Sequence, residues 1–185
     1  TLQETLEDLS GFADACVDRA FNFLHHQLSD TLGYPCDSKG MRQEILVIGM
    51  GKLGARELNF SSDIDLIFTY RENGFTDHSE NPVESQVFFT KLCHRFLKLF
   101  HNTGPADLIF RVDARLRPYG ESGPITMDFD SMEEYYLRQG REWERYASIK
   151  ARRITGNVQD AISLFSKLSS FVYRRYLDYA VYDSL

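Results

Sequence analysis

The chain has only three cysteines in 185 residues, Cys16, Cys36 and Cys93, and they lie far apart. No CxxC pair occurs, so neither a zinc knuckle nor a disulfide framework is supported, and a reducing cytoplasm fits best. The sequence has no run of 18 apolar residues and no basic-then-apolar leader. No membrane association and no signal peptide are therefore expected. Positive charge is in deficit: 21 Lys and Arg stand against 27 Asp and Glu, a net charge of −6. An acidic chain gains no electrostatic affinity for a polyanion, so no nucleic-acid partner is expected. Internal repeats and low-complexity tracts are absent. What remains is globular in character, with 43% hydrophobic and 26% charged residues. The length suits one domain with a real core. The chain opens mid-pattern at Thr1 and closes in a helical pattern at Leu185, so a piece of a longer protein is expected.

Apolar residues from Leu2 to Leu28 recur at helical spacing, which predicts a helix over residues 2–31, ended by Gly33 and Pro35. Glu44 to Gly49 reads as a short buried strand. Gly51 to Leu58 suits two brief helical turns. Asp63 to Tyr70 is rich in β-branched and aromatic residues and is the strongest strand. Residues 71–81 read as polar loop. An amphipathic helix from Val83 to Phe100 follows, ending before Gly104-Pro105. Asp107 to Arg115 reads as a third strand and Pro124 to Met127 as a short fourth. From Ser131 the pattern is helical throughout. Ser131 with Glu134 has capping-box spacing, with Asp130 as competitor, and Trp143 is read as core. The expected fold is α+β: an N-terminal helical segment at 1–40, a small mixed-sheet core at 41–127 and a C-terminal helical segment at 128–185.

Asp63 and Asp65 are two apart on a predicted strand, so both carboxylates leave the same face. Two bare carboxylates side by side repel each other, and a hard divalent cation relieves the repulsion. The alternative for an isolated DxD is a solvated strand edge. Upstream, Gly49 to Gly54 (GMGKLG) matches GxGxxG as text, but a dinucleotide fold needs a full crossover helix before the next strand. Only Ala55 to Ser62 intervene here. A phosphate-binding GxxxxGK loop fails too, because Leu46 and Leu53 stand at required positions. A glycine turn, a brief helical segment and then DxD is instead similar to the layout of DNA polymerase β-like nucleotidyltransferases.

A third carboxylate is expected from Asp113, which shares a strand face with Arg111; an ion pair with Arg111 or Arg115 is the alternative. Arg115 and Arg117 follow at alternate positions and suit phosphate geometry, as do Lys150 and Arg152. Solvent-exposed surface is the plainer reading of each. His25 and His26 are adjacent on a helix and cannot share a face as ligands. Cys93 and His94 are adjacent as well, and form no dyad.

Three blocks now carry a resemblance. Val47 to Phe68 (VIGMGKLGARELNFSSDIDLIF), Phe110 to Ile125 (FRVDARLRPYGESGPI) and Gly140 to Gly156 (GREWERYASIKARRITG) closely resemble bacterial glutamine synthetase adenylyltransferase/adenylyl-removase. They occur in order and span most of residues 45–156. Their wording looks more like the N-terminal, adenylyl-removing half. Ala55-Arg56 departs from the family, which often has glycines there. The resemblance implies a polymerase-β-type fold and phosphorolytic removal of AMP from a tyrosine of glutamine synthetase, releasing ADP. It implies magnesium, two ions or manganese in their place, on Asp63, Asp65 and Asp113. Gly51, Lys52 and Ser62 would contact phosphate, and Arg115, Arg117, Lys150 and Arg152 would bind phosphate or AMP. A PII-type signalling protein would act through the full-length enzyme. The alternatives are ATP-dependent adenylylation of the same tyrosine, or a non-catalytic nucleotide-binding regulatory module.

Overall fold

The apolar stripe at the start of the chain forms one helix, α1 (Leu2–Leu32), in a computed structural model that describes residues 1–101 and 110–173. Ala13, Val17, Phe21, Leu24 and Leu28 are its buried face. Gly33 ends it at φ 78, a left-handed conformation that glycine adopts without steric cost. The remaining elements are β1 (Leu46–Gly49), α2 (Gly51–Gly54), β2 (Ile64–Tyr70), α3 (Ser85–His101), β3 (Val112–Asp113), β4 (Thr126–Asp128), α4 (Phe129–Gln139), α5 (Glu142–Ser148), β5 (Arg152–Thr155) and α6 (Val158–Val172).

The fold is α+β, built on a mixed five-stranded sheet. β1 lies between β2 and β5 and is antiparallel to both. β2 runs parallel to β3 and to β4. These two share one edge of β2 in succession. Ile64 and Asp65 face Val112 and Asp113, and Phe68 to Tyr70 face Thr126 to Asp128. The residues between β3 and β4 leave the sheet as a loop with one turn of 3-10 helix, Gly120–Ser122.

Alternation along β2 builds two cores. Ile64, Leu66, Phe68 and Tyr70 pack toward α1 and α3, where Phe21 stacks on Phe96 with ring centroids 4.2 Å apart. Ile67 faces the other way, into Met132, Tyr136, Leu164 and Phe171 of α4 and α6. Burying each such side chain stabilises the fold by roughly 1.5–3 kcal/mol, so the sheet is fixed by helices on both faces. The antiparallel β1–β2 pair and the four-residue α2 rule out a dinucleotide crossover at GMGKLG. Among the described residues, no helix is long and apolar enough to cross a membrane.

Several expectations are corrected. The segment from Ser131 onward is not all helical, because β5 joins the sheet edge beside β1. Ile154 packs where Gly49 has no side chain; a Cβ at Gly49 would lie 2.6 Å from Ile154 Cδ1. Four residues between two helices carry too little periodicity to reveal this. The cap of α4 is Asp128, which accepts from the backbone N–H of Ser131 at 3.0 Å. Trp143 is 46% exposed and outside the core. The described part of the third strand is only two residues long. The expected breaks at Gly104-Pro105, the strand start at Asp107 and the helical pattern beyond residue 173 lie outside the described residues.

His25 on α1 is buried against Phe88 and Phe89 of α3. Burial, with His26 adding to it, pushes its pKa down to about 4. The unfolded chain protonates this group below about 6.5. Its contribution to stability is therefore complete above that pH and is lost as pH falls toward 4. We expect roughly 3 kcal/mol of acid-induced destabilisation between pH 6.5 and 4 to come from this residue. The variant His25→Phe should show a flatter stability–pH curve in urea unfolding at several pH values. Parallel curves for the two proteins would show that His25 is solvated.

Candidate active site

The parallel register of β2 and β3 sets Asp65 directly beside Asp113. The backbone N–H of Ile64 donates to the carbonyl of Arg111 at 2.8 Å, which extends the pairing and leaves Asp63 at the mouth of the strand. Asp65 feels both of the other carboxylates. Burial raises the Asp65 pKa, and the charges of Asp113 and then Asp63 raise it further. Asp113 is shifted the opposite way, chiefly by its hydrogen bonds from Arg115.

Two arginines compensate the cluster. Arg111 Nε donates to Asp63 Oδ1 at 2.6 Å. Arg115 forks onto Asp113, with Nε 2.9 Å from Oδ2 and its own backbone N–H 2.8 Å from Oδ1. Among the described residues, no three acidic, histidine or cysteine side chains converge closely enough to hold a metal as they stand. Arg111 and Arg115 hold oxygens of Asp63 and Asp113. The donor chemistry nevertheless fits a hard cation: Asp65 and Asp113 paired in register, Asp63 just before the strand, and Asp65 bearing the repulsion of the other two.

Below Asp65 lies the glycine turn. The Met50 N–H donates to the Asp65 carbonyl at 2.9 Å. Gly51 then takes φ +53, and a Cβ there would sit 2.5 Å from Asp65 Oδ2. Only glycine combines that conformation with so close a carboxylate. Lys52 Nζ reaches Ser62 Oγ at 3.1 Å, and Ser62 in turn donates to Asn59 at 2.6 Å, so Lys52 and Ser62 meet at the edge of the turn.

Asp63 and Asp113 open onto a cleft of about 860 Å³ whose lining includes Arg111, Arg115 and Arg117. Thr90 and His94, four residues apart on α3, line it too. Neither is expected at the site from the sequence: nothing there singles out Thr90, and His94 is read only as forming no dyad with Cys93. Their spacing was visible, but only the parallel docking of β3 and β4 beside α3 turns that face to the site. The other predicted cations are engaged elsewhere. Arg117 donates to the carbonyls of Ala114 (2.7 Å), Pro124 (3.2 Å) and Gly123 (3.3 Å), holding its own loop together. Lys150 pairs with exposed Glu57 at 2.9 Å. Arg152 forks onto Asp14 of α1 and lies partly buried.

The turn geometry gives a direct test. Gly40 also has positive φ, +76, but open space around it. Gly40→Ala should cost about 1–2 kcal/mol of stability from the backbone alone. Gly51→Ala should cost that and more, because the methyl must displace the Asp65 carboxylate. Denaturant midpoints of the two variants measure the difference. Equal losses would show that Asp65 does not rest on the turn.

The family model described as Glutamate-ammonia ligase adenylyltransferase matches residues 1–165. Curated relatives named bifunctional glutamine synthetase adenylyltransferase/adenylyl-removing enzyme include those of Thioalkalivibrio sulfidiphilus (50% identical over 184 residues), Pseudomonas aeruginosa (48% over 185) and Hahella chejuensis (44% over 183). These alignments cover 99–100% of the chain but only 19% of each relative, so the chain spans about a fifth of their length. With the glycine turn and paired carboxylates in place, the chain belongs to the glutamate-ammonia ligase adenylyltransferase family.

Proposed function

We propose that this chain is the nucleotidyltransferase core that removes AMP from an adenylylated tyrosine of glutamine synthetase by phosphorolysis. The observation that carries the proposal is the register pairing of Asp65 with Asp113, with Asp63 before them and the Gly51 turn packed beneath Asp65. The removing direction is supported by the likeness of the GMGKLG, RLRPYGESGP and REWERYASIKAR blocks to that half of the family. In the whole polypeptide, regulation by a PII-type signalling protein and a cytoplasmic setting belong to the same reading.

Asp63, Asp65 and Asp113 would hold magnesium, as two ions, with manganese able to substitute. The bound cations would supply positive charge against the clustered carboxylates and the phosphates. The Gly51 N–H and Lys52 would contact phosphate at the turn, where Lys52 Nζ already meets Ser62 Oγ. Arg111 and Arg115 line the cleft and are exposed beside their carboxylates, so an incoming anion would compete with Asp63 and Asp113 for their donors. An oxygen of inorganic phosphate forms a bond to the AMP phosphorus while the bond to the tyrosine oxygen breaks. The products are ADP and the free tyrosine. Positioning and charge stabilisation carry most of the catalysis in such transfers, and no enzyme nucleophile is required.

In the whole polypeptide, adenylylated glutamine synthetase with inorganic phosphate should yield ADP. Asp65→Asn and Asp113→Ala should each lower that rate by about a hundredfold or more while melting near the parent temperature. ATP-dependent labelling of the unmodified substrate that vanishes in the same variants would instead assign the transferase direction. Arg115→Ala should raise the phosphate concentration needed for half-maximal rate by roughly tenfold. It should leave the requirement for adenylylated protein nearly unchanged. An unaltered phosphate dependence would leave Arg115 as a structural partner of Asp113.

A further inference from the structure

The α2 turn that carries Gly51 and Lys52 has only four residues, too few to hold its own shape by helical hydrogen bonding. Its support comes from elsewhere. Arg152 on β5 donates through Nη2 to the Leu53 carbonyl at 2.9 Å and through Nε to the Gly54 carbonyl at 3.2 Å. The same guanidinium forks onto Asp14 of α1, with Nη1 2.8 Å and Nη2 3.0 Å from the two carboxylate oxygens. Both side chains are only about a fifth exposed. The backbone beside them is packed as tightly: a Cβ at Gly54 would lie 2.1 Å from the Lys150 carbonyl.

Asp14 belongs to a polar stripe on α1. Ser10, Asp14 and Asp18 recur four residues apart and so share a helix face. Ser10 Oγ accepts from the Leu58 N–H at 3.2 Å, Asp14 takes Arg152, and Asp18 accepts from the Thr155 hydroxyl. The stripe grips both the chain leaving α2 and the strand that braces it. Arg152 therefore has its charge balanced and its donors aimed at the closing carbonyls of the turn, a standard way of capping a helix end.

We propose that Arg152, braced by Asp14, is a positioning residue that holds the Gly51–Gly54 turn in its phosphate-binding shape. The inference rests on the reading of Gly51 and Lys52 as phosphate contacts. It makes a prediction opposite in sign to direct phosphate binding by Arg152. If Arg152 met the phosphate itself, Asp14→Asn would free the guanidinium, and binding would hold or tighten. If Arg152 positions the turn, Asp14→Asn removes its brace and binding weakens, as it does in Arg152→Ala.

The test uses Arg152→Ala, Arg152→Lys and Asp14→Asn in the whole polypeptide, each checked by thermal melting. Amide hydrogen exchange is read at Gly54 and Ala55, whose N–H groups close α2 on Met50 and Gly51. Binding of magnesium-ADP is measured by calorimetry. Arg152→Ala and Asp14→Asn should each speed exchange at these amides and weaken ADP by about tenfold. Arg152→Lys, which keeps the charge and loses the fork, should recover only part of either. Unchanged exchange in both variants overturns the proposal, as does weakened ADP binding in Arg152→Ala alone. If the parent protein binds no ADP, the nucleotide reading fails while the exchange data still decide whether Arg152 holds the turn.

Discussion

Like-charge repulsion at the paired edge of β2 is the constraint around which the molecule is arranged. Parallel pairing with β3 puts Asp113 beside Asp65, and Asp63 lies one step away. A partly buried cluster of that kind destabilises any fold unless positive charge or hydrogen-bond donors face it. Two arginines supply the charge, each bound to a carboxylate within two residues of it or one strand over. Asp65, the innermost, is bound by neither arginine; burial raises its pKa, the charges of Asp113 and Asp63 raise it further, and Arg115 offsets part of the rise.

The rest of the fold keeps that arrangement rigid. β2 is gripped from both faces, by α1 and α3 on one side and α4 and α6 on the other. It cannot slip by one residue without sending Ile64, Leu66 and Phe68 to the wrong core. The glycine turn is clamped from three sides: Asp65 above Gly51, the Lys150 carbonyl against Gly54, and Arg152 on the closing carbonyls. Rigid elements hold reactive groups more exactly than loops do, and here even the short turn is tied to the sheet and to α1.

Much of this was legible in the chain. α1, α3 and β2 follow from apolar periodicity, and their observed bounds lie within two residues of the expected ones. The Asp63-x-Asp65 pair and the glycine turn stood out as motifs because each is a matter of local spacing. β5 was hidden, since four residues between helices give no period to read. His94 and Thr90 were hidden as well, because nothing local says which neighbour their helix face will meet.

The sequence by itself determined the family and the α+β class, and it singled out Asp63, Asp65 and Asp113 as candidates. The tertiary structure decided what each cation does. Arginine and lysine side chains are long and bind whatever acceptor packing brings within reach. Arg115 finds a carboxylate two residues away, Arg117 finds the carbonyls of its own loop, and Arg152 finds Asp14, 138 residues distant in the chain. Spacing alone made these arginines alike; only the docking of β5 against α1 and the excursion between β3 and β4 separated them.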